Sequence, residues 1–495
     1  MRVGVFNRFW ATFGGAEMVA GTIADELCDD HDVTLVGTGP VPVGGLRERL
    51  GLGLTPVATA VVDDLPAAVE DESGRYDLWI NCSYLSDEAC RAAHGAYVLS
   101  FPTPATSHFN GAQRVLNKTV GLVLRKGWPP PRLGRGFGPV EGSRGARCRR
   151  IEANAEFTVR TRRGRHRRVT VVFAAGEAAH VELNGGAEVV DATPGRSPVA
   201  VTVGCVGDRD GVARVRITTS SGTAAVSGIV TGAGATARMA ARAGAVAPFL
   251  LVDDSPAFID SYDLLLANSE YTRTWTARLW HRDSTVLYPP VKPVAAGDKQ
   301  QIILSVGRFF DAAAGHSKKQ LELVETFGRL WRRGDLDGWS LHLVGGCSEE
   351  QRPYLDRVRS AAAGLPVDLH VDAARREVEQ LYGAASLYWH ATGLGEDPTR
   401  HPHRFEHFGI TTVEAMSAGA VPIVFDHAGP REVVEDGVSG LVFRDLDGLA
   451  ATTRTLVLDR GRRESLARGA RRRAAAFAPD AFRSRLRDLL APMGA

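Results

Sequence analysis

Residues 406–440, EHFGITTVEAMSAGAVPIVFDHAGPREVVEDGVSG, decide how the rest of the chain is read. Glu406 stands in a loop that Phe408-Gly409 breaks, and Thr411 or Thr412 opens an apolar helix carrying Glu414. Ala418-Gly419 ends the helix, glycine supplying a left-handed cap. A buried strand over 420–425 follows, and a turn at Gly429-Pro430 closes it. Two carboxylates therefore bracket a helix N-terminus, whose free N–H groups and macrodipole attract anions. A ligand with both hydroxyls and phosphates, such as a sugar nucleotide, reconciles the two.

Glu406 and Glu414, with HFGITTV between them and AMSAG after, resemble the Glu-x7-Glu signature of retaining glycosyltransferases of family 4. The resemblance implies the GT-B arrangement, in which two Rossmann-like domains face each other across a cleft. It also implies a nucleotide-sugar donor as co-substrate. On it, Glu406 binds sugar hydroxyls, Glu414 accepts from the ribose diol, and backbone amides of Phe408, Gly409 and Ile410 face the sugar or phosphate. Without it, the two acids read as a helix cap and a solvent-facing glutamate.

Working outward, residues 302–306 read as a strand leading into Gly307-Arg308-Phe309, with Lys318 ten residues beyond Arg308. Only six of the 59 cationic residues are lysines, so the Lys318-Lys319 pair runs against the chain's own usage. Arg308 and Lys318 match the family's cationic pair, which holds the donor diphosphate and stabilises it as leaving group; fixed cations offset such developing charge. Lys319 competes for the role, but the spacing to Phe327 favours Lys318. Near the N-terminus the strand over 2–6 is followed by Gly14-Gly15, resembling the glycine turn that approaches donor phosphate or acceptor in this family. It is not G-x-G-x-x-G, so a dinucleotide fingerprint is absent. Where related enzymes place an acceptor-side histidine before an aromatic-Pro pair, this chain has Ser100, and His108 is the substitute within reach.

Alternating α/β character over 1–126 breaks at a Pro- and Gly-rich linker. From 147 to about 230 the period becomes two, with candidate strands over 155–160, 168–173, 180–183, 187–191, 199–205, 212–218 and 224–230 and a hairpin signal at Asn184-Gly185-Gly186. These read as a β-sandwich-like insert spanning 127–235 with its linkers. It lacks Trp and Tyr over 147–235, which argues against a sugar platform, and its arginines read as a solvated basic edge. The strands over 249–252 and 262–267 return the chain to the first domain over 236–290. A second, nucleotide-sugar-binding domain spans 291–479, and a last helix over 480–495 crosses back onto the first, with Phe482, Leu486, Leu489 and Leu490 at helical spacing.

Charge is balanced at +2 in 495 residues, giving no reason to expect nucleic acid. Six scattered cysteines without a C-x-x-C pair suit a reducing compartment. No signal peptide or long apolar run is read, so a cytoplasmic protein is expected, with room for contact at the inner face of a membrane. No metal is expected: Asp208-Arg209-Asp210 lies in the insert, and Asp335-Leu336-Asp337 and Asp445-Leu446-Asp447 read as turns. The stretch from His390 to His407, with His390, His401, His403 and His407 near Glu396 and Asp397, is the one feature pulling toward a metal. The expectation is transfer of a sugar to a glycan or lipid-linked acceptor in polysaccharide biosynthesis. A GT-B epimerase and a non-catalytic sugar-nucleotide sensor stay open.

Overall fold

A computed structural model describes residues 1–103, 111–127, 131–133, 137–141, 148–151, 154–160, 166–173, 179–183, 188–192, 199–206, 212–221, 224–247, 256–311 and 317–495. His108, Asn184-Gly185-Gly186, Asp208-Arg209-Asp210 and the expected strand over 249–252 lie outside them.

Short apolar strands that alternate with helices cannot pair through tight turns, so they form parallel sheets with helices on both faces. The first sheet runs, edge to edge, Thr285–Val286, Leu264–Ala267, His94–Leu99, Leu78–Asn81, Arg2–Phe6, Asp32–Gly37, Ala58–Val61, and every pairing is parallel. The second runs Val367–Val371, Ser340–Gly345, Gln300–Val306, Ala385–His390, Val421–Phe425, Leu441–Phe443, again all parallel. In each, the strand order reverses beside the first strand of that sheet, between Arg2–Phe6 and Leu78–Asn81 and between Gln300–Val306 and Ala385–His390. A reversal leaves a crevice at the carboxyl ends of the strands, where ligands bind in open α/β sheets. Each sheet has its own core: Val3, Val5, Leu35, Leu78 and Ile80 in the first, Ile303, Leu341, Leu343, Leu387 and Trp389 in the second.

The helix Pro479–Leu490 lays Phe482, Leu486 and Leu490 into the first sheet's core. Arg483 donates to Asp25 Oδ2 at 2.5 Å and Glu26 Oε2 at 2.9 Å on the helix Gly15–Leu27. Full burial of each apolar side chain contributes about 1.5–3 kcal/mol, so this helix joins the first domain although its sequence follows the second.

Between the two stretches of the first sheet, the described residues form ten strands in two five-stranded antiparallel sheets. Phe157, Val159, Val215 and Ile217 from one sheet and Ile151, Val169, Val171 and Val203 from the other share a single buried cluster. Strands occupy all seven of the period-two stretches. Three more, Arg132–Leu133, Phe137–Glu141 and Cys148–Ile151, are short and interleaved with Gly, Pro and Arg, which hid their alternation. The helix Gly234–Val246, which the sequence reading gave to the first domain from residue 236, packs on these strands instead. Its Ala237, Ala240 and Ala241 bury Val172 and Val230, and a Cβ on Gly228 would lie 2.3 Å from the Ala241 carbonyl oxygen.

Two local readings near the deciding stretch are corrected. The helix opens at Ile410, ahead of both threonines, because Gly409 takes the cap position with φ +100°. Gly429-Pro430 is no turn but the first turn of a helix, Ala428–Val433; N–H groups there lack intrahelical acceptors, so proline is tolerated. A Cβ on Gly429 would sit 2.3 Å from Phe408 Cα, and the Gly429 N–H donates to the Glu406 carbonyl at 2.9 Å. That contact fixes the loop carrying Glu406. No helix among the described residues is long and apolar enough to cross a membrane.

Candidate active site

The carboxyl edges of the two parallel sheets face a cleft of about 430 Å³. Gly15, Arg308, Lys318, Glu406, Phe408, Gly409 and Ile410 line it, whereas Gly14 and Glu414 are not part of its lining. Gly14 caps the helix Gly15–Leu27, its N–H donating to Glu17 Oε2 at 2.7 Å. At Gly15 the two domains touch: a Cβ there would lie 2.5 Å from Ile410 Cδ1. Two helix N-termini, at Gly15 and Ile410, thus border one cleft, and their partial positive charge suits an anion.

Gly307 explains how the cations reach the same wall. A Cβ on it would come within 2.6 Å of Lys318 Cγ, so the lysine stem lies directly across the strand end. Lys318 Nζ donates to Glu406 Oε2 at 2.5 Å, while Arg308 is exposed on the cleft wall. Lys319, the competing candidate, is buried and donates to Glu396 Oε1 at 3.1 Å, with Arg404 on the other oxygen at 3.2 Å. That network ties down the 393–404 loop and leaves Lys318 the lysine in the cleft lining.

Behind Glu406 lies His390, at the end of its strand and wholly buried. Desolvation holds its pKa below the usual imidazole range, so the ring is neutral. Its Nε2 is 3.4 Å from Glu406 Oε2, and its buried Nδ1 has no hydrogen-bond partner among the described residues. A neutral ring facing a carboxylate carries its proton on Nε2, which makes Nδ1 the bare acceptor. In the sequence His390 counted only as one of a run of histidines pulling toward a metal. His407, another, stacks on Phe101 with centroids 4.3 Å apart. Among the described residues, no group of three or more His, Cys, Asp or Glu is placed to hold a metal ion.

Glu414 is buried, not solvent-facing. Its carboxylate accepts from Arg375 Nη1 at 2.9 Å and from the Tyr382 hydroxyl at 2.8 Å, leaving further lone pairs for a ligand. Burial drives the Tyr382 hydroxyl well above its ordinary pKa, so it remains a donor. Sequence reading missed Arg375 and Tyr382 because they sit on a separate helix, Arg375–Ala384.

The domains are also joined beside the cleft. Glu432 accepts from the N–H groups of Glu270 and Tyr271 at 2.9 and 3.3 Å and from the Tyr288 hydroxyl at 3.2 Å. It thereby satisfies the opening of the helix Glu270–Trp280, and desolvation raises its own pKa. Ser100 lines the cleft, and its carbonyl accepts from Thr272 Oγ1 at 3.1 Å. Asp445, expected in a turn, caps the helix Leu446–Leu458 through Gly448 N–H at 2.7 Å, and Asp447 pairs with Arg329. Neither lines the cleft.

The left-handed Gly409 gives a direct test of this geometry. In Gly409→Ala the added Cβ would meet Pro430 Cγ at 3.3 Å, at a φ that L side chains rarely adopt. Backbone strain of this kind costs about 1–3 kcal/mol. Gly395→Ala carries a similar strain, φ +76°, in open space. Both variants are expected to melt earlier, and Gly409→Ala alone to weaken nucleotide binding, read by calorimetry.

Residues 291–473 match the family model described as "Glycosyl transferases group 1". The second half of the chain carries a glycosyl transferases group 1 domain. Two curated proteins named GDP-Man:Man(3)GlcNAc(2)-PP-Dol alpha-1,2-mannosyltransferase are similar to the chain. The Dictyostelium discoideum protein is 27% identical over 34% of this chain and 35% of its own length. The Xenopus tropicalis protein is 25% identical over 44% of this chain and 46% of its own length. The chain therefore spans less than half the length of these curated relatives. Among solved structures, Anabaena HepE in complex with UDP aligns with a TM-score of 0.56 at 14% identity, covering 99% of this chain and 100% of that one. The shared architecture is the GT-B-like α/β fold with two parallel-sheet, Rossmann-like domains.

Proposed function

We propose that the protein is a retaining glycosyltransferase of family 4, moving a sugar from a nucleoside-diphosphate donor to a glycan or lipid-linked acceptor. The observation that carries this reading is the gathering of Arg308, Lys318, Glu406 and two helix N-termini on one cleft, at the strand-order reversal of the group 1 domain. Glu414 binds the ribose diol from behind the helix, beside Arg375. The donor diphosphate lies against Arg308, Lys318 and the opening of the helix Ile410–Ser417. Its arrival exchanges partners: Lys318 leaves Glu406 for phosphate, and Glu406 turns to the sugar hydroxyls. His390, neutral and behind Glu406, orients the carboxylate through that exchange. Transfer is front-face, the departing phosphate helping to take the acceptor's proton.

Curated relatives are named for GDP-mannose, and a structural neighbour was solved with UDP; a donor panel should therefore start with GDP-mannose and UDP-glucose. We read the paired antiparallel sheets as an inserted β-sandwich domain, and the protein as cytoplasmic, working at the inner face of a membrane in polysaccharide biosynthesis.

Release of free nucleoside diphosphate is the test. It is expected from one donor of the panel, to rise when lipid or glycan extract supplies an acceptor, and to persist in excess EDTA. Binding without release would favour a sugar-nucleotide sensor, and altered sugar without release an epimerase. Complete loss on chelation, restored by one equivalent of metal, would show that cations alone do not hold the diphosphate.

A further inference from the structure

The segment Gly111–Gly127 is helical throughout, with a wider π-turn at Asn117–Gly121. Its polarity is inverted. Asn117 and Gly121 face inward and are buried, whereas Val115, Leu116, Val120, Leu122 and Val123 are all exposed, Val115 and Val123 by 63% and 65%. A helix resting on a protein core turns its apolar stripe inward, so this stripe has no partner among the described residues. Leu124 is anchored against the cluster of Val172 and Ala237.

Charge gives the second observation. No Asp or Glu occurs between Glu88 and Glu141, a stretch holding seven Lys and Arg, in a chain otherwise balanced at 59 cations to 57 anions. Two of the chain's six lysines, Lys118 and Lys126, lie on this helix and are exposed, as is Arg114. An apolar face bordered by cations and free of carboxylates is complementary to an anionic bilayer surface, where apolar side chains enter the acyl boundary and cations meet head groups. A face built for a second protein copy has no such need to exclude acids.

We propose that the helix Gly111–Gly127 docks the protein on an anionic membrane surface. Residue 111 follows the cleft-lining Ser100 by only eleven positions, so docking holds the first-domain side of the cleft near the head groups. This deepens the reading of a lipid-linked acceptor, but its test needs neither donor nor turnover.

The experiment is flotation of the full-length chain with vesicles of phosphatidylcholine containing roughly a third phosphatidylglycerol, against pure phosphatidylcholine, at low and high salt. The chain is expected to float with the anionic vesicles alone, and less at high salt. Val115→Asp/Val123→Asp and Lys118→Glu/Lys126→Glu are each expected to weaken binding about tenfold or more while melting within a few degrees of the parent. Both pairs are exposed, and the second leaves every apolar contact in place. No flotation by the parent overturns the proposal, as does undiminished flotation by both variants. A dimer in light scattering that Val115→Asp/Val123→Asp converts to monomer, without vesicle binding, assigns the face to a second copy and overturns it too. Vesicle binding without nucleotide release would sink the transferase reading and leave the docking surface standing.

Discussion

Lys318→Ala is expected to lower turnover by about 100- to 1,000-fold, the loss found when a fixed donor to a developing anion is removed. The expectation rests on position. Lys318 reaches the cleft because Gly307 lets its stem cross the strand end, and Lys319 is occupied by Glu396. The substitution also takes from Glu406 the ammonium that holds it before donor arrives. Lys318→Ala should therefore alter both binding and the chemical step, with the larger effect on kcat because leaving-group charge is greatest in the transition state. Turnover within about twofold of the parent, with nucleotide release otherwise demonstrated, would remove Lys318 from the site. Melting should change little, since the lysine is partly exposed and its ion pair sits at the cleft.

Glu414→Ala is the second large effect, and it has two components. Loss of a charge-assisted bond to the ribose costs about 1.5–3 kcal/mol, roughly 10- to 100-fold in donor affinity. The same change leaves the buried Tyr382 hydroxyl without its acceptor, a stability loss of about 1–3 kcal/mol. Affinity must therefore be measured below the lowered melting transition. Glu414→Gln separates the components: it keeps an acceptor for Tyr382 and removes the charge. A Glu414 that only braces the helix Arg375–Ala384 would give a protein of reduced stability and parental donor affinity, and that result would end its assignment to the ribose.

The deciding stretch was legible because its information is local. A glycine at each end, an apolar run and a β-branched strand state a helix and a strand within twenty residues, and Gly307-Arg308 does the same for the opening strand of the second sheet. Element ends were less legible. Gly409 looked like a loop breaker, although a glycine at positive φ can equally be the first capping residue of the helix it precedes. Pro430 looked like a stop, because sequence alone does not separate a proline in a helix's first turn from one in a loop. The supporting residues were hidden for a different reason. Arg375 and Tyr382 meet Glu414, and His390 meets Glu406, through folding of the parallel sheet, and no spacing along the chain encodes those contacts. His390 in particular was misweighted: beside other histidines it suggested a metal, whereas a strand end with complete burial makes it a neutral prop.

The last helix has a consequence for how this chain comes into being. Val3 and Val5 share their cluster with Phe482, Leu486 and Leu490, which are made more than 470 residues later. Until the helix Pro479–Leu490 is made, the first sheet therefore presents an unfinished apolar surface on the side where the helix Gly15–Leu27 awaits its partner, while the second domain, whose strands are contiguous in the sequence, can close by itself. Contacts of such separation form late and leave apolar surface exposed in the meantime. Of the two domains, the one translated earlier is thus the one finished later, and a nascent or truncated chain should be held by chaperones through its first domain even after the second has become protease-resistant.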